Sequence, residues 1–380
     1  MNEDKTRPLY FPQLDIIRFF AALMIIVYHA YICWCGWYKI PRLLTVGDYK
    51  TLSSIGKPID QLIHNFPIGV DIFFFISGFL ITFLLLKEKR NFGKIKLLNF
   101  YIRRSLRIWP LYFFLIAIAP LIVWWMRAES PNYLPNILFL NNFHTISTEQ
   151  WTFPFSHFWS ICIEEHYYIL WPLLLTLIPR KHLPLLFVFT FSLSFGFKIY
   201  TMLATANSWL PIYMNTLSRM DVIVLGALVA YIHIDHPIRF SISKLATSVL
   251  VILIICFLAF DNLSNIDSMY SGVTKRFFYM LLIALSLMNF MFNPNVIIDA
   301  KKWNWLLYLG RISYGIYMYG NIIVVIVMVK IMQAYSINNI YLFFILVLTL
   351  SILIPIISYE ILEKPFLKLK DKFALIKTRL

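Results

Sequence analysis

Apolar segments of about twenty residues recur along the whole chain, and this recurrence constrains the fold more than any other feature. The runs lie at roughly 14–34, 67–86, 108–126, 158–178, 183–199, 217–234, 245–260, 277–293, 305–330 and 339–359. About 20 apolar residues are needed to cross the hydrocarbon core as a helix. A helix is the form in which one segment satisfies its own backbone there. Composition agrees: 60% of the 380 residues are hydrophobic and only 14% charged, against about 25% charged in ordinary soluble domains. A soluble enzyme, a disordered tail and a coiled coil are excluded. The expected fold is an all-α polytopic membrane protein of about ten transmembrane helices. A break within 200–216, at Asn207, Pro211 and Asn215, reads as a re-entrant segment or a surface loop. The opening MNEDKTRPLYFPQ is polar and contains acids, and no small-residue cleavage site follows the first apolar run. That run is therefore expected to be a retained span rather than a signal peptide.

Net charge is +15, from 34 Lys and Arg against 19 Asp and Glu. Such an excess fits nucleic-acid binding or the cytoplasmic bias of membrane loops. With the N-terminus placed in the cytoplasm, 22 basic residues fall in cytoplasmic segments and nine in exterior ones, Lys198 and Arg276 among the latter. The asymmetry supports both termini in the cytoplasm and accounts for the charge with the lipid bilayer as partner and no nucleic acid. The organisation expected is a cytoplasmic segment 1–13, a transmembrane domain 14–360 and a basic cytoplasmic tail 361–380. Cys33, Cys35, Cys162 and Cys256 form no CxxC pair and have no zinc spacing, so they read as packed thiols.

Ionisable groups inside spans cost about 2.5–3.5 kcal/mol each on the insertion scale and mark function by default. Four clusters stand out. In LDIIRFFAALMIIVYHA, ten residues separate Arg18 from His29. Eleven helical steps leave the two within about 20° of one face and about 16 Å apart along the axis. Asp15 shares that face. The pair suits a substrate that enters from one side and reacts near the other, although two snorkelling end residues would look the same. In GVDIFFFISGFLITFLLL, Asp71 lies near the outer end, with Ser77 and Gly78 inside; Asp71 is a functional candidate or a helix cap. In FYIRRSLRIWPLYF, Arg103, Arg104 and Arg107 align by i,i+3 and i,i+4 spacing. Their forks match phosphate oxygens of an anionic cofactor or of lipid headgroups. In HFWSICIEEHYYILWPLL, Glu164 and Glu165 are adjacent, and helical arithmetic puts His157, Glu164 and Tyr168 within about 20° of one face. His157 and His166 are possible local partners of these carboxylates; His29 is the distant one.

Taken in order, LDIIRFFAALMIIVYH, GVDIFFFISGFLI, FYIRRSLRIWPLY, HFWSICIEEHYYILWPL, SRMDVIVLGALVA, LGRISYGIYMY and LEKPFLKL resemble the acyltransferase-3 family of integral-membrane O-acyltransferases, which includes O-antigen acetylases. The resemblance spans residues 14 to about 369. It implies a ten-helix domain in a bacterial cytoplasmic membrane. Such a domain takes an acyl group, usually acetyl, from cytoplasmic acyl-CoA and passes it to a hydroxyl, typically of a cell-surface polysaccharide sugar. On this resemblance the family's Arg/ten-residue/His hallmark falls on Arg18 and His29, and its arginine-rich motif on Arg103, Arg104 and Arg107. Its glutamate stretch falls on Trp159, Ser160, Glu164 and Glu165, and its later Arg–x–Asp on Arg219 and Asp221. One departure is Gly320, where many relatives carry a histidine.

The mechanism expected has Arg103, Arg104, Arg107 and Arg18 holding CoA phosphates. His29 acts as general base on the acceptor or accepts the acyl group itself. Glu164, with Glu165 second, orients or charge-stabilises it. Acyl-CoA, acetyl-CoA first, is the donor substrate and a carbohydrate the acceptor partner. No resident cofactor and no metal are expected, because ligand spacing, HExxH, Walker and GxGxxG patterns are lacking. A proton- or ion-coupled transporter using the same Arg, His and Glu residues is the competing class, though the paired repeats common in transporters are not found. A sugar-stacking platform at Tyr133, Phe143 and Trp151 is a further possibility in the 127–156 loop. Relatives with a fused extracytoplasmic domain run about 200 residues longer (one further domain of ordinary size), so the chain is expected to act alone or with a separate partner. The sequence leaves the oligomeric state open.

Overall fold

Proline opens the first helix: α1 runs unbroken from Pro12 to Trp37, with Pro12 where no intrahelical amide is required. In this computed structural model the described residues are 11–39, 56–204, 209–239, 242–260, 270–293 and 302–374, and among them the secondary structure is helical without a strand. After α1 come α2 (Gly56–His64), α3 (Ile68–Phe92), α4 (Leu97–Met126), α5 (Leu134–Ile137), α6 (Asn141–Thr148) and α7 (Trp159–Leu177). Then follow α8 (Leu183–Ala204), α9 (Leu210–Met214), α10 (Thr216–Asp235), α11 (Lys244–Phe260) and α12 (Arg276–Phe292). The chain continues with α13 (Asn304–Arg311), α14 (Ser313–Val327), α15 (Ile340–Ser358) and α16 (Lys364–Asp371).

Among the described residues, eight helical stretches are long and apolar enough to cross a membrane: Pro12–Trp37, Gly56–Phe92, Leu97–Met126, Arg180–Ala204, Leu210–Asp235, Val273–Phe292, Ser313–Gln333 and Ile340–Asp371. The protein is a multi-pass, all-α membrane protein. Two more helices coincide with expected spans. Of these, α7 is diluted by Glu164, Glu165 and His166, and α11 is 17 residues long. Three boundaries differ from the sequence reading. Helix α4 begins at Leu97, so Arg103, Arg104 and Arg107 lie within it rather than at its end. The expected span 305–330 is broken at Ile312 into α13 and α14. His157 sits in a 3₁₀ turn, Ser156–Phe158, ahead of α7, so the helical arithmetic that aligned it with Glu164 does not apply. Residues 1–10, Asn207, Lys301 and 375–380 of the expected segments lie outside the described residues.

The chain divides into two units, one drawn from Met1–Pro12, Phe74–Ile238 and Ile356–Leu380, the other from Gln13–Phe73 and Arg239–Pro355. Within the first, α8 lies along α10 and turns Ser194, Lys198 and Thr201 inward while Leu185, Phe189 and Leu203 face outward. Polar inside and apolar outside is the pattern a bilayer imposes, since lipid offers polar groups no partner. Helices α3 and α10 cross at two glycines. A Cβ on Gly78 would stand 1.8 Å from the Ile223 carbonyl oxygen, and one on Gly226 2.1 Å from that of Phe75. Small residues at matched positions let membrane helices approach to backbone contact.

Within the second unit, Ile68, Leu258 and Tyr279 form a core with Met24, Leu62, Ile254 and Ile283. Asn65 Nδ2 donates to the Leu258 carbonyl at 2.7 Å. Helix α15 buries Phe343, Val347, Ser351 and Pro355 at four-residue spacing and exposes Tyr341, Ile345 and Leu353. Phe343 meets Trp34 of α1 with ring centroids 5.4 Å apart.

Candidate active site

In the second unit the candidate residues lie first on α1. Because the helix is continuous, Asp15, Arg18 and His29 keep the common face expected of them. Asp15 and Arg18 form an ion pair at 3.7 Å with both side chains largely buried. His29 lies in the same helix beside the Tyr28 ring, at 5.4 Å between centroids. Asp71 is not simply a cap. Arg276 Nη2 donates to its Oδ2 at 3.0 Å and ties the first turn of α3 to the start of α12. Gly320 abuts α1: a Cβ there would meet Ile26 Cγ1 at 2.6 Å, so any side chain at this position must displace the packing one turn before His29.

In the first unit, parts of three sequence clusters converge on Glu164. Ser77 Oγ donates to Glu164 Oε1 at 2.7 Å, and Tyr168 Oη donates to Oε2 at 3.0 Å. The two hydroxyls lie 3.1 Å from each other. The Arg104 guanidinium covers the Tyr168 ring at 5.0 Å and its charge acts on Glu164. Glu165 points elsewhere: Trp109 Nε1 approaches Oε2 at 3.4 Å, and Oε1 is buried without a hydrogen-bond partner among the described residues. Arg103 is engaged by Glu88 at 3.3 Å and by the Phe373 carbonyl at 2.7 Å. Arg107 acts electrostatically on Arg104 and on Glu363 of the LEKPF stretch.

Arg219 is fully buried on α10, between the rings of Phe74 at 5.6 Å and Tyr213 at 5.5 Å. Asp221 pairs with Lys198 of α8, both buried. Ser160 Oγ donates to the His157 carbonyl at 3.2 Å. His166 turns to Thr216 at 2.8 Å and stacks on Phe143 at 5.5 Å. Two rings of the expected sugar platform are thus committed, Phe143 to His166 and Tyr133 through a hydrogen bond to the Phe153 carbonyl. Burial raises the Tyr133 phenol to about 12. Trp151 is exposed.

Sequence reasoning missed the hydroxyl of Ser77 as a carboxylate donor, Lys198, which had been counted as an exterior residue, and Glu88. It also missed α2. There Tyr31 of α1 donates to Asp60, and His64 Nδ1 lies 2.9 Å from the Asp60 carbonyl oxygen. The Asp60–x₃–His64 spacing on one helix face was the available signal. The four cysteines are free, and among the described residues no group of three or more His, Cys, Asp and Glu side chains is arranged to hold a metal.

Residues 11–360 match the model of the Acyltransferase domain that defines the acyltransferase-3 family. The chain belongs to this family. The O-acetyltransferase OatA of Staphylococcus aureus, strain NCTC 8325, is 29% identical over 388 residues, which is 95% of this chain and 58% of the relative. OatA of strain COL gives the same figures. Other sequences of that species match at 27% identity over 94% of this chain and 58% of their own length. The chain thus spans less than two thirds of these relatives. No solved structure matches it.

Proposed function

We propose that the protein is a membrane O-acyltransferase of the bacterial cytoplasmic membrane, with both termini cytoplasmic. It moves an acetyl group from cytoplasmic acetyl-CoA to a hydroxyl of a cell-surface polysaccharide. The observation that carries this reading is α1 itself, in a chain of the acyltransferase-3 family: one unbroken helix bears Arg18 and His29 on a common face. Arg18, Arg104 and Arg107 serve the CoA phosphates; Arg103, held by Glu88, shapes that region. His29 removes the proton of the acceptor hydroxyl or takes up the acyl group. Glu164, with Glu165 as the alternative, supplies the carboxylate charge the reaction needs. Asp15, Asp71, Arg219 and Asp221 hold the helices that carry these groups, and His157 and Ser160 set the entry into α7.

The test is transfer from radiolabelled acetyl-CoA in membranes holding the wild type, His29→Ala or Glu164→Gln at matched protein levels. Label in surface glycan is expected with the wild type and lost by about 10²-fold or more in each variant, the scale of acid–base and electrostatic contributions. Equal labelling in all three rejects the assignment.

A further inference from the structure

Helix α2 turns its polar face inward. Asp60, Gln61 and His64 are buried, whereas Ile59 is 52% exposed. Helix α2 leans on α11, and its buried face meets α1. Tyr31 Oη donates to Asp60 Oδ1, and the other carboxylate oxygen of Asp60 lies 3.4 Å from His64 Nδ1. That nitrogen is also 2.9 Å from the Asp60 carbonyl oxygen. A carbonyl only accepts, so Nδ1 carries the proton and Nε2 is the basic nitrogen. The His64 ring stands edge-on to Tyr31 at 5.8 Å and to Tyr28 at 6.4 Å, and Tyr28 also borders His29. Two imidazoles therefore flank one tyrosine in this unit, and the second has its tautomer fixed and a carboxylate beside it. This is the arrangement in which a carboxylate stabilises an imidazolium formed during proton abstraction.

We propose that His64, held by Asp60 and Tyr31, is a second catalytic base, which takes the proton of the acceptor hydroxyl. The proposal rests on the acyl-transfer reading above and leaves His29 to handle the acyl group. The acceptor O–H proton passes to His64 Nε2 as the oxygen bonds to the acyl carbon. The bond from that carbon to its carrier, the CoA sulfur or a nitrogen of His29, breaks, and its electron pair leaves with the carrier. The carrier then takes up the proton from His64. A helix that served only to brace α1 would bury Ile59 and expose Asp60 and His64.

The test compares two acceptors in membranes supplied with labelled acetyl-CoA: the endogenous surface polysaccharide, and added hydroxylamine, which attacks as a neutral amine and needs no base. His64→Gln is expected to lower transfer to polysaccharide by about 10²–10⁴-fold, the usual contribution of a positioned base. Transfer to hydroxylamine per folded molecule stays within about threefold of wild type. Should His64→Gln fail to fold, Asp60→Asn, which can still accept from Tyr31, carries the same comparison. A parallel fall with both acceptors, or no fall with either, overturns the role of His64. A wild type that acetylates neither acceptor instead overturns the acyl-transfer reading beneath it.

Discussion

Ser77→Ala removes one of the two hydroxyls on Glu164 and leaves the other in place. Ser77 Oγ lies 2.7 Å from Oε1 and Tyr168 Oη 3.0 Å from Oε2. A hydrogen bond to a charged group contributes about 1.5–3 kcal/mol. At about 1.4 kcal/mol per decade of rate, losing it lowers turnover by about one to two powers of ten, provided the carboxylate must stay fixed in the transition state. Tyr168→Phe keeps the ring beneath Arg104 and removes only the second donor, so its effect has the same scale. The hydroxyls also lie 3.1 Å from each other, so the losses are coupled: the double variant departs from additivity by about 0.5–3 kcal/mol. The assay is labelled acetyl transfer in reconstituted vesicles, normalised to folded protein by size-exclusion chromatography. Wild-type turnover in folded Ser77→Ala, or additivity within about 0.5 kcal/mol, refutes the view that Glu164 is positioned for the reaction by this pair.

Asp71→Asn, or Arg276→Met, breaks a buried pair with side chains 4% and 13% exposed. It is expected to cost about 3–5 kcal/mol, read as a fall in Tm in detergent, whereas Asp71→Leu with Arg276→Met recovers most of the loss; unchanged Tm in the single variants removes the pair from the account of stability. Gly226→Val must separate α3 from α10, because even a Cβ would lie 2.1 Å from the Phe75 carbonyl oxygen, so little folded protein is expected by fluorescence-detected chromatography. Gly196→Ala in α8, where a Cβ meets nothing within 4 Å, is the control and gains about 0.5 kcal/mol from backbone entropy.

The spans were legible because bilayer thickness imposes one length on every one of them. The face shared by Asp15, Arg18 and His29 was legible because it follows from helical pitch within one continuous element. Pairings between elements were not legible. Asp71 with Arg276 and Lys198 with Asp221 join residues 205 and 23 positions apart, and counting Arg276 and Lys198 as exterior charges concealed both. His157 was misread because periodicity was carried across the 3₁₀ turn before α7. Helix α2 escaped because nine residues around Asp60 and His64 carry no apolar run. Its signal is polar residues at i,i+4, which on a solvated helix would mean little.

The two adjacent carboxylates of α7 differ in what remains for each to accept. Successive residues on a helix diverge by about 100°, so Glu164 meets Ser77, Tyr168 and the charge of Arg104 while Glu165 meets Trp109. Both oxygens of Glu164 accept hydrogen bonds and the Arg104 charge acts on it within the same unit, so its carboxyl group is fixed in place. Glu165 is only 5% exposed, yet its Oε1 has no partner among the described residues. An unsatisfied buried polar atom costs about 1–3 kcal/mol, and more when charged. A fold retains such a cost where a proton, a water molecule or a substrate hydroxyl supplies the missing partner. The adjacent pair is therefore unequal: Glu164 is held at both oxygens, and Glu165 keeps one buried oxygen open to a partner that the described residues do not supply.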